Sequence, residues 1–200
     1  MKISFVGAGN VASSLGDLLA NAGHQVKYST PHPKEAQVSI ADACSFGEVV
    51  CFAIPYAAME KVLKENESLL ADKIVVDITN AIKLEDWSPL FLGEDSGGEQ
   101  TARLLPKSKV VKAFNTIFAD VMKTDKQLFQ EQKLTAFIAS DSEDAAATIK
   151  KLADEIGFSG LVVGGIINAR HLEAIAHLNI AIALGGGGTD AGFTYFQRKG

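Results

Sequence analysis

Short hydrophobic runs recur along the chain, each followed by a glycine- or proline-marked break and then by apolar positions at helical spacing. KISFV at residues 2–6 has the form of a buried parallel strand. Val11, Leu15, Leu18 and Leu19 then repeat at helical intervals over residues 10–22, and Gly23 closes that helix as a C-cap. HQVKYS predicts a second strand, and TPHPKEAQ a proline-rich loop opening a short helix. EVVCFAIP (48–55) is a strand stopped by Pro55, followed by the amphipathic helix YAAMEKVLKENESLL. KIVVDIT (73–79), KVVKAF (109–114), KLTAFIAS and SGLVVGG predict four further strands. The last two flank the helix SEDAAATIKKLADEIG, with Ser142 as its N-cap. Residues 80–100 have the weakest pattern and read as a long surface loop, and TARLLPKS as a short helix. Residues 168–184 are apolar on nearly every side, so that helix is buried or pairs with another chain. GGGG at 185–188 breaks it, and TDAGFTYFQ follows as a final strand or extended arm.

Alternating strands and helices of these lengths predict a doubly wound, mostly parallel α/β sheet with helices on both faces. One domain over residues 1–200 is expected, with residues 168–200 completing a cavity and contributing to a dimer. A composition of 47% hydrophobic and 22% charged residues suits a globular core of that size. The net charge of −5 and the lack of a basic cluster argue against nucleic acid as the main partner. Cys44 and Cys51 lack metal-ligand spacing and read as small apolar groups, so no metal is expected. No apolar run reaches the roughly 18 residues of a membrane span. The first strand begins at residue 2, leaving no room for a signal peptide, and the expected location is the cytoplasm.

The chemistry concentrates at Gly7-Ala8-Gly9-Asn10-Val11-Ala12, a GxGxxA pattern between a strand and a helix. Gly7 suits the tight turn, Gly9 lets a pyrophosphate approach the backbone, and Ala12 lets the helix pack on the strand. Free N–H groups at the helix start then face the phosphates. The pattern in this context predicts a Rossmann dinucleotide site, with a glycine turn that merely connects strand and helix as the competing reading. At the end of the second strand, where NAD sites carry an acid on the ribose 2′-OH, no carboxylate occurs before Glu35. Ser29, Thr30, His32 and Lys34 suit a 2′-phosphate, so NADP is the expected cofactor.

Asn115 and Thr116 end the strand KVVKAF, where an open α/β sheet places its ligand, and are assigned to the substrate cavity. Local turn capping is the competing role for both. Asp77, on an apolar strand, reads as a loop anchor accepting backbone N–H groups. Arg170 and His171 read as interface or capping residues, His177 as a core histidine, and Trp87 and Phe91 as a lid or a surface anchor.

The stretches ISFVGAGNVASSLGDLLANAGHQV, VVCFAIPYAAMEKVL, KIVVDITNAI with VVKAFNTIFADVM, and ADEIGFSGLVVGGIINARHLEAIAHLNIAIAL carry a resemblance to a known family. It is the family of small NADP-binding oxidoreductases typified by NADPH-dependent deazaflavin (coenzyme F420) reductase. The ferric reductase domain of the STEAP proteins is a more distant relative. The resemblance implies that Thr30 grips the 2′-phosphate, with Pro31 and His32 standing where arginine is often found. It also implies that Ile54 and Pro55 cover the cofactor's ribose, and that Asn80 and Asn115 face the nicotinamide and its hydride partner. Asn115 stands where the deazaflavin enzyme tends to have histidine.

Direct hydride transfer between planar rings needs positioning and exclusion of water more than acid–base groups. The expected function is therefore an NADP-dependent oxidoreductase acting on a small planar acceptor: a deazaflavin, a flavin or a quinone-like compound. The alternative is a non-catalytic NADP sensor or regulatory module. A homodimer through the apolar final helix is expected.

Overall fold

The computed structural model describes residues 1–123 and 126–198. In chain order the elements begin with β1 (Lys2–Val6), α1 (Asn10–Asn21), β2 (Gln25–Ser29), β3 (Gln37–Val38) and α2 (Ile40–Phe46). Next come β4 (Val49–Phe52), α3 (Tyr56–Leu70), β5 (Ile74–Asp77), α4 (Gly97–Leu104) and β6 (Lys109–Ala113). The short strands β7 (Leu128–Phe129) and β8 (Gln132–Lys133) form a separate ribbon. β9 (Thr135–Ser140), α5 (Glu143–Glu155), β10 (Ser159–Val162) and α6 (Ala169–Ile182) complete the series.

Among the described residues the main sheet runs β10-β9-β6-β5-β4-β1-β2-β3. Its ladders are parallel except β6 with β9. An antiparallel pair needs no helical crossover. The chain between β6 and β9 accordingly carries only a 3-10 turn (Ala119–Met122) and the β7–β8 ribbon among its described residues. The doubly wound, mostly parallel α/β class expected from the alternation is the observed one.

Alternation along each strand divides the core into two layers. Ile3, Phe5, Cys51, Val76 and Val111 point to the layer of Leu15 and Leu19 on α1 and of Ile149 and Leu152 on α5. Val6, Val50, Phe52, Val75 and Val110 point to the layer of Met59, Leu63 and Leu70 on α3. The expected caps form: Ser142 accepts from Ala145 N, and Gly23, at a φ of 92°, follows the end of α1. One boundary differs from expectation, and one open alternative is decided. α4 starts at Gly97 inside the segment read as loop, because Ser96 caps it by accepting from Glu99 N. Residues 189–198 form an arm rather than a strand, touching the sheet through Thr135 N–H to Phe193 O (2.8 Å) and Tyr195 N–H to Thr135 Oγ1 (2.9 Å). Residues 199 and 200 of the expected C-terminal element lie outside the described residues.

A buried ionic network pins α4 and α6 to the sheet. Lys112, with none of its surface exposed, sits on β6 opposite Asp77 of β5. Its Nζ donates to Glu173 Oε1 on α6 (2.9 Å) and to Thr79 O (2.6 Å), and lies 3.2 Å from Asp77 Oδ2. Glu173 also accepts from the Gly97 and Gly98 N–H groups, both at 3.1 Å, at the start of α4. A Cβ on Gly98 would lie 2.7 Å from that of Ala169, so the α4–α6 contact depends on its absence. Burial opposes the Lys112 charge, but Asp77 and Glu173 outweigh it and hold its pKa above the ordinary lysine value. The α4 N-terminus offsets the remaining negative charge.

Replacing Lys112 with Met leaves two buried carboxylates without their cation. Denaturant unfolding is expected to show a loss of about 3–5 kcal/mol. Because the folded pKa is raised, the Lys112 contribution is fully present below the unfolded-state lysine pKa and is lost as pH rises through the folded value. The difference between wild type and Lys112→Met should therefore persist at neutral pH and shrink only in strong alkali. An unchanged unfolding midpoint at pH 7 contradicts this account.

Candidate functional site

The chain leaves β1 through a turn that only glycine fits at its first position. Gly7 has a φ of 115°, and a Cβ there would lie 2.3 Å from Ala53 O. Its N–H is bonded to Ser29 O at 3.0 Å, closing the turn against β2. Gly9 is the N-cap of α1, makes no side-chain cap, and faces open space where a Cβ would stand. No acidic residue occupies the first turn of α1. Ala12 is fully buried, seating the helix on the sheet. Exposed backbone N–H groups at a helix N-terminus, with no side chain in front and no carboxylate beside them, fit an anionic diphosphate.

The flanking residues divide into two groups. Thr30 is half-buried, with its hydroxyl on Gln37 Oε1 at 3.1 Å, while His32 and Lys34 are exposed on the loop after β2. Ser29 is different: fully buried, it donates its hydroxyl to Phe5 O at 3.1 Å, so that group ties β1 to β2 and does not face the loop. Ala8 and Ile54 are half-buried, and Ile54 lies beside Gly7. Pro55 is the exposed N-cap of α3.

Next to the turn lies a cavity of about 430 Å³, within the range of small-molecule sites. Asn10 and Val11 of α1 form one wall, continuous with the glycine turn. The loops after β5 and β6 supply Asn80 and Asn115, and α6 supplies Asn179 and Ile180. Asn80 and Asn115 are joined twice: Asn80 Nδ2 donates to Asn115 O (2.8 Å), and Asn115 Nδ2 donates to Asn80 Oδ1 (2.9 Å). Asn179 Nδ2 reaches Thr116 O at 3.2 Å. The Asp77–Lys112 network stands behind this floor, since Asp77 Oδ1 accepts from Thr79 N and Oγ1 immediately before Asn80. Asp77 thus has the loop-anchor role read from sequence.

Phe114, between Ala113 and Asn115, lines the cavity at a φ of 61°, and Trp87 lines it at the same φ. Such backbone in bulky residues costs of order 1–3 kcal/mol and concentrates at binding sites. Other candidates lie elsewhere. His177 donates its Nε2–H to Ala81 O at 3.1 Å and packs edge-on to exposed Phe91. Arg170 holds Glu99 through two 2.8 Å contacts, keeping that carboxyl below its usual range, and His171 is exposed. Lys112, Glu173 and Asn179 were missed by sequence reasoning. A lysine inside an apolar strand, adjacent to a strand carrying Asp77, was the available signal for the first.

Fold and site define a Rossmann dinucleotide-binding protein. Residues 2–81 match the family described as NADP oxidoreductase, coenzyme F420-dependent. The chain is 30% identical to metalloreductase STEAP3 of Rattus norvegicus over 87% of its own length, spanning 36% of that protein. It is 29% identical to the F420-dependent NADP reductase of Methanothermobacter thermautotrophicus over 70% of its length and 62% of that protein's. The chain thus spans about a third to two thirds of these relatives. A solved structure from Arthrobacter sp. FB24, described as a candidate F420-dependent NADP reductase, superposes with a TM-score of 0.88 at 28% identity, covering 98% of this chain and 100% of that one. Over residues 2–81 the chain is thus similar to this family of NADP oxidoreductases, and over nearly its whole length to the Arthrobacter structure.

Gly9→Asp places a good N-cap on α1 but a negative charge where the diphosphate fits. The melting temperature should be unchanged or raised, with NADPH affinity reduced about tenfold or more, a loss of at least about 1.4 kcal/mol. Gly7→Ala should instead destabilise the fold by roughly 1–3 kcal/mol in denaturant unfolding. Unaltered NADPH binding by Gly9→Asp refutes the assignment of the turn.

Proposed function

We propose that the protein is an NADP-dependent oxidoreductase that moves a hydride between NADP(H) and a small planar acceptor. The carrying observation is that the glycine turn and the apolar cavity share the first residues of α1, Asn10 and Val11. A diphosphate held at the turn therefore lies beside a space for a ring. When bound, NADP(H) supplies the nicotinamide carbon that gives or takes the hydride.

The chain's own residues position and exclude. Gly7, Ala8, Gly9 and Ala12 shape the diphosphate turn. Thr30, His32 and Lys34 offer a hydroxyl, an imidazole and an ammonium to the 2′-phosphate. Ile54 and Pro55 cover the ribose. The joined pair Asn80–Asn115 and the neighbouring Thr116 set the floor on which two rings meet. The walls of Val11, Ile78, Phe114 and Ile180 keep water out, which favours transfer between closely apposed rings. A non-catalytic binding module has no need of such a cavity.

We further read residues 1–200 as one domain acting in the cytoplasm, with no membrane or nucleic acid as partner. Among the described residues no helix is long and apolar enough to cross a membrane. A homodimer through α6 and the turn after it would cover Leu178, Ile182 and Leu184, all exposed.

Fluorescence titration should give a lower dissociation constant for NADPH than for NADH; equal or tighter NADH binding removes the 2′-phosphate assignment. Asn115→Ala should lower turnover by about tenfold or more while leaving NADPH affinity within about twofold. The check is loss of reduced-nicotinamide absorbance with a panel of flavins, deazaflavin, quinones and ferric chelates. Unchanged turnover with every active acceptor takes Asn115 out of the site.

A further inference from the structure

The loop that leaves β2 is closed on one side chain. Gln37, half-buried on the edge strand β3, accepts twice at Oε1: from the Thr30 hydroxyl and from the Lys34 N–H, both at 3.1 Å. The Gln37 N–H returns to Lys34 O at 2.9 Å. Ala36, immediately before it, has a φ of 67°. Left-handed backbone is rare in a residue with a Cβ, and such strain gathers at binding sites.

These contacts fix which way the carboxamide points. A backbone N–H can only donate, so the atom facing Lys34 N is the amide oxygen and not the nitrogen. Thr30 then donates its hydroxyl proton to that same oxygen. The amide nitrogen is left on the other side of the group. It has no acceptor among the described residues, and it is not buried. The loop has few donors to replace it. Pro31 and Pro33 carry no N–H, and that of Lys34 is already committed. With its proton on Gln37, Thr30 has only lone pairs to turn toward an anion. The side-chain donors left at this loop are the Gln37 amide and the exposed His32 and Lys34.

We infer that Gln37 reads the cofactor's 2′-phosphate: its amide N–H groups donate to the phosphate oxygens, while Thr30 and the Lys34 N–H hold it in place. This rests on the NADP reading above and refines the part of Thr30, which serves the phosphate through Gln37. Glutamate at this position keeps an oxygen for Thr30 and Lys34 and puts a second carboxylate oxygen where the amide nitrogen was. Such a group repels a phosphate, yet it accepts from a ribose 2′-OH as the acid of NAD sites does.

The test measures dissociation constants of NADPH and NADH by nicotinamide fluorescence for wild type, Gln37→Glu and Gln37→Met. Gln37→Glu is expected to weaken NADPH about tenfold or more and to bind NADH at least as tightly as wild type. Gln37→Met, uncharged and of similar length, should weaken NADPH about tenfold through loss of hydrogen bonds to a charged group, with NADH within about twofold. Unchanged NADPH affinity in either variant overturns the inference. So does an equal loss for both cofactors, which makes Gln37 a clamp for the loop and nothing more. If wild type prefers NADPH and both variants keep that preference, the inference alone falls. If wild type shows no preference for NADPH, the 2′-phosphate assignment falls and takes the inference with it.

Discussion

The arrangement of the site depends on a lysine that has no contact with solvent. Lys112 joins two neighbouring strands, one helix N-terminus and the final helix through Asp77, Glu173 and the carbonyl of Thr79. An ammonium in such a place is tolerated because two carboxylates and a carbonyl replace its water. The network is also geometrically exacting. It sets the path of the chain from Asp77 to Asn80, and hence where Asn80 meets Asn115. It fixes α6 at Glu173, and further along the same helix Asn179 reaches the floor of the cavity. The cavity is therefore defined by charge–charge geometry behind it as much as by the apolar side chains that line it.

The fold supplies the rest by placing chain reversals at one edge of the sheet. The turn after β1 and the loops after β5 and β6 all lie at the carboxyl ends of parallel strands, the side where open α/β sheets gather ligands. Among the described residues the connection between antiparallel β6 and β9 carries no α-helix, only the 3-10 turn at Ala119–Met122 and the β7–β8 ribbon. From that turn Ala119 and Asp120 reach the cavity.

Much of this was legible in the sequence because it is local. Strand periodicity, the glycine turn, the proline stop at Pro55 and the serine caps are each written within a few adjacent residues. Asn115 and Thr116 were recognisable from their place at a strand end, and both line the cavity. What escaped was long-range. Glu173 meets Lys112 across the fold, and nothing near either residue announces the other. The start of α4 was hidden because Gly97 and Gly98 read as loop, yet their N–H groups are held by that distant carboxylate. Ser29 was legible as a hydroxyl at a strand end, but not the inward side of the strand on which it falls, where Phe5 O takes its proton. The strand–helix alternation predicted a mostly parallel sheet but gave no sign of where its antiparallel ladder, β6 with β9, would fall.

Asn10 and Val11 occupy an unusual position: each sits in the opening turn of α1, beside the glycine turn, and also on the wall of the cavity. A substitution at either is read twice. On the proposed reading, any change of this wall to suit another acceptor also alters the seat of the nucleotide. Ala183, Leu184 and Thr189, at the end of α6 and in the arm beyond it, line the same cavity from outside the glycine turn, so a change there carries no such double effect.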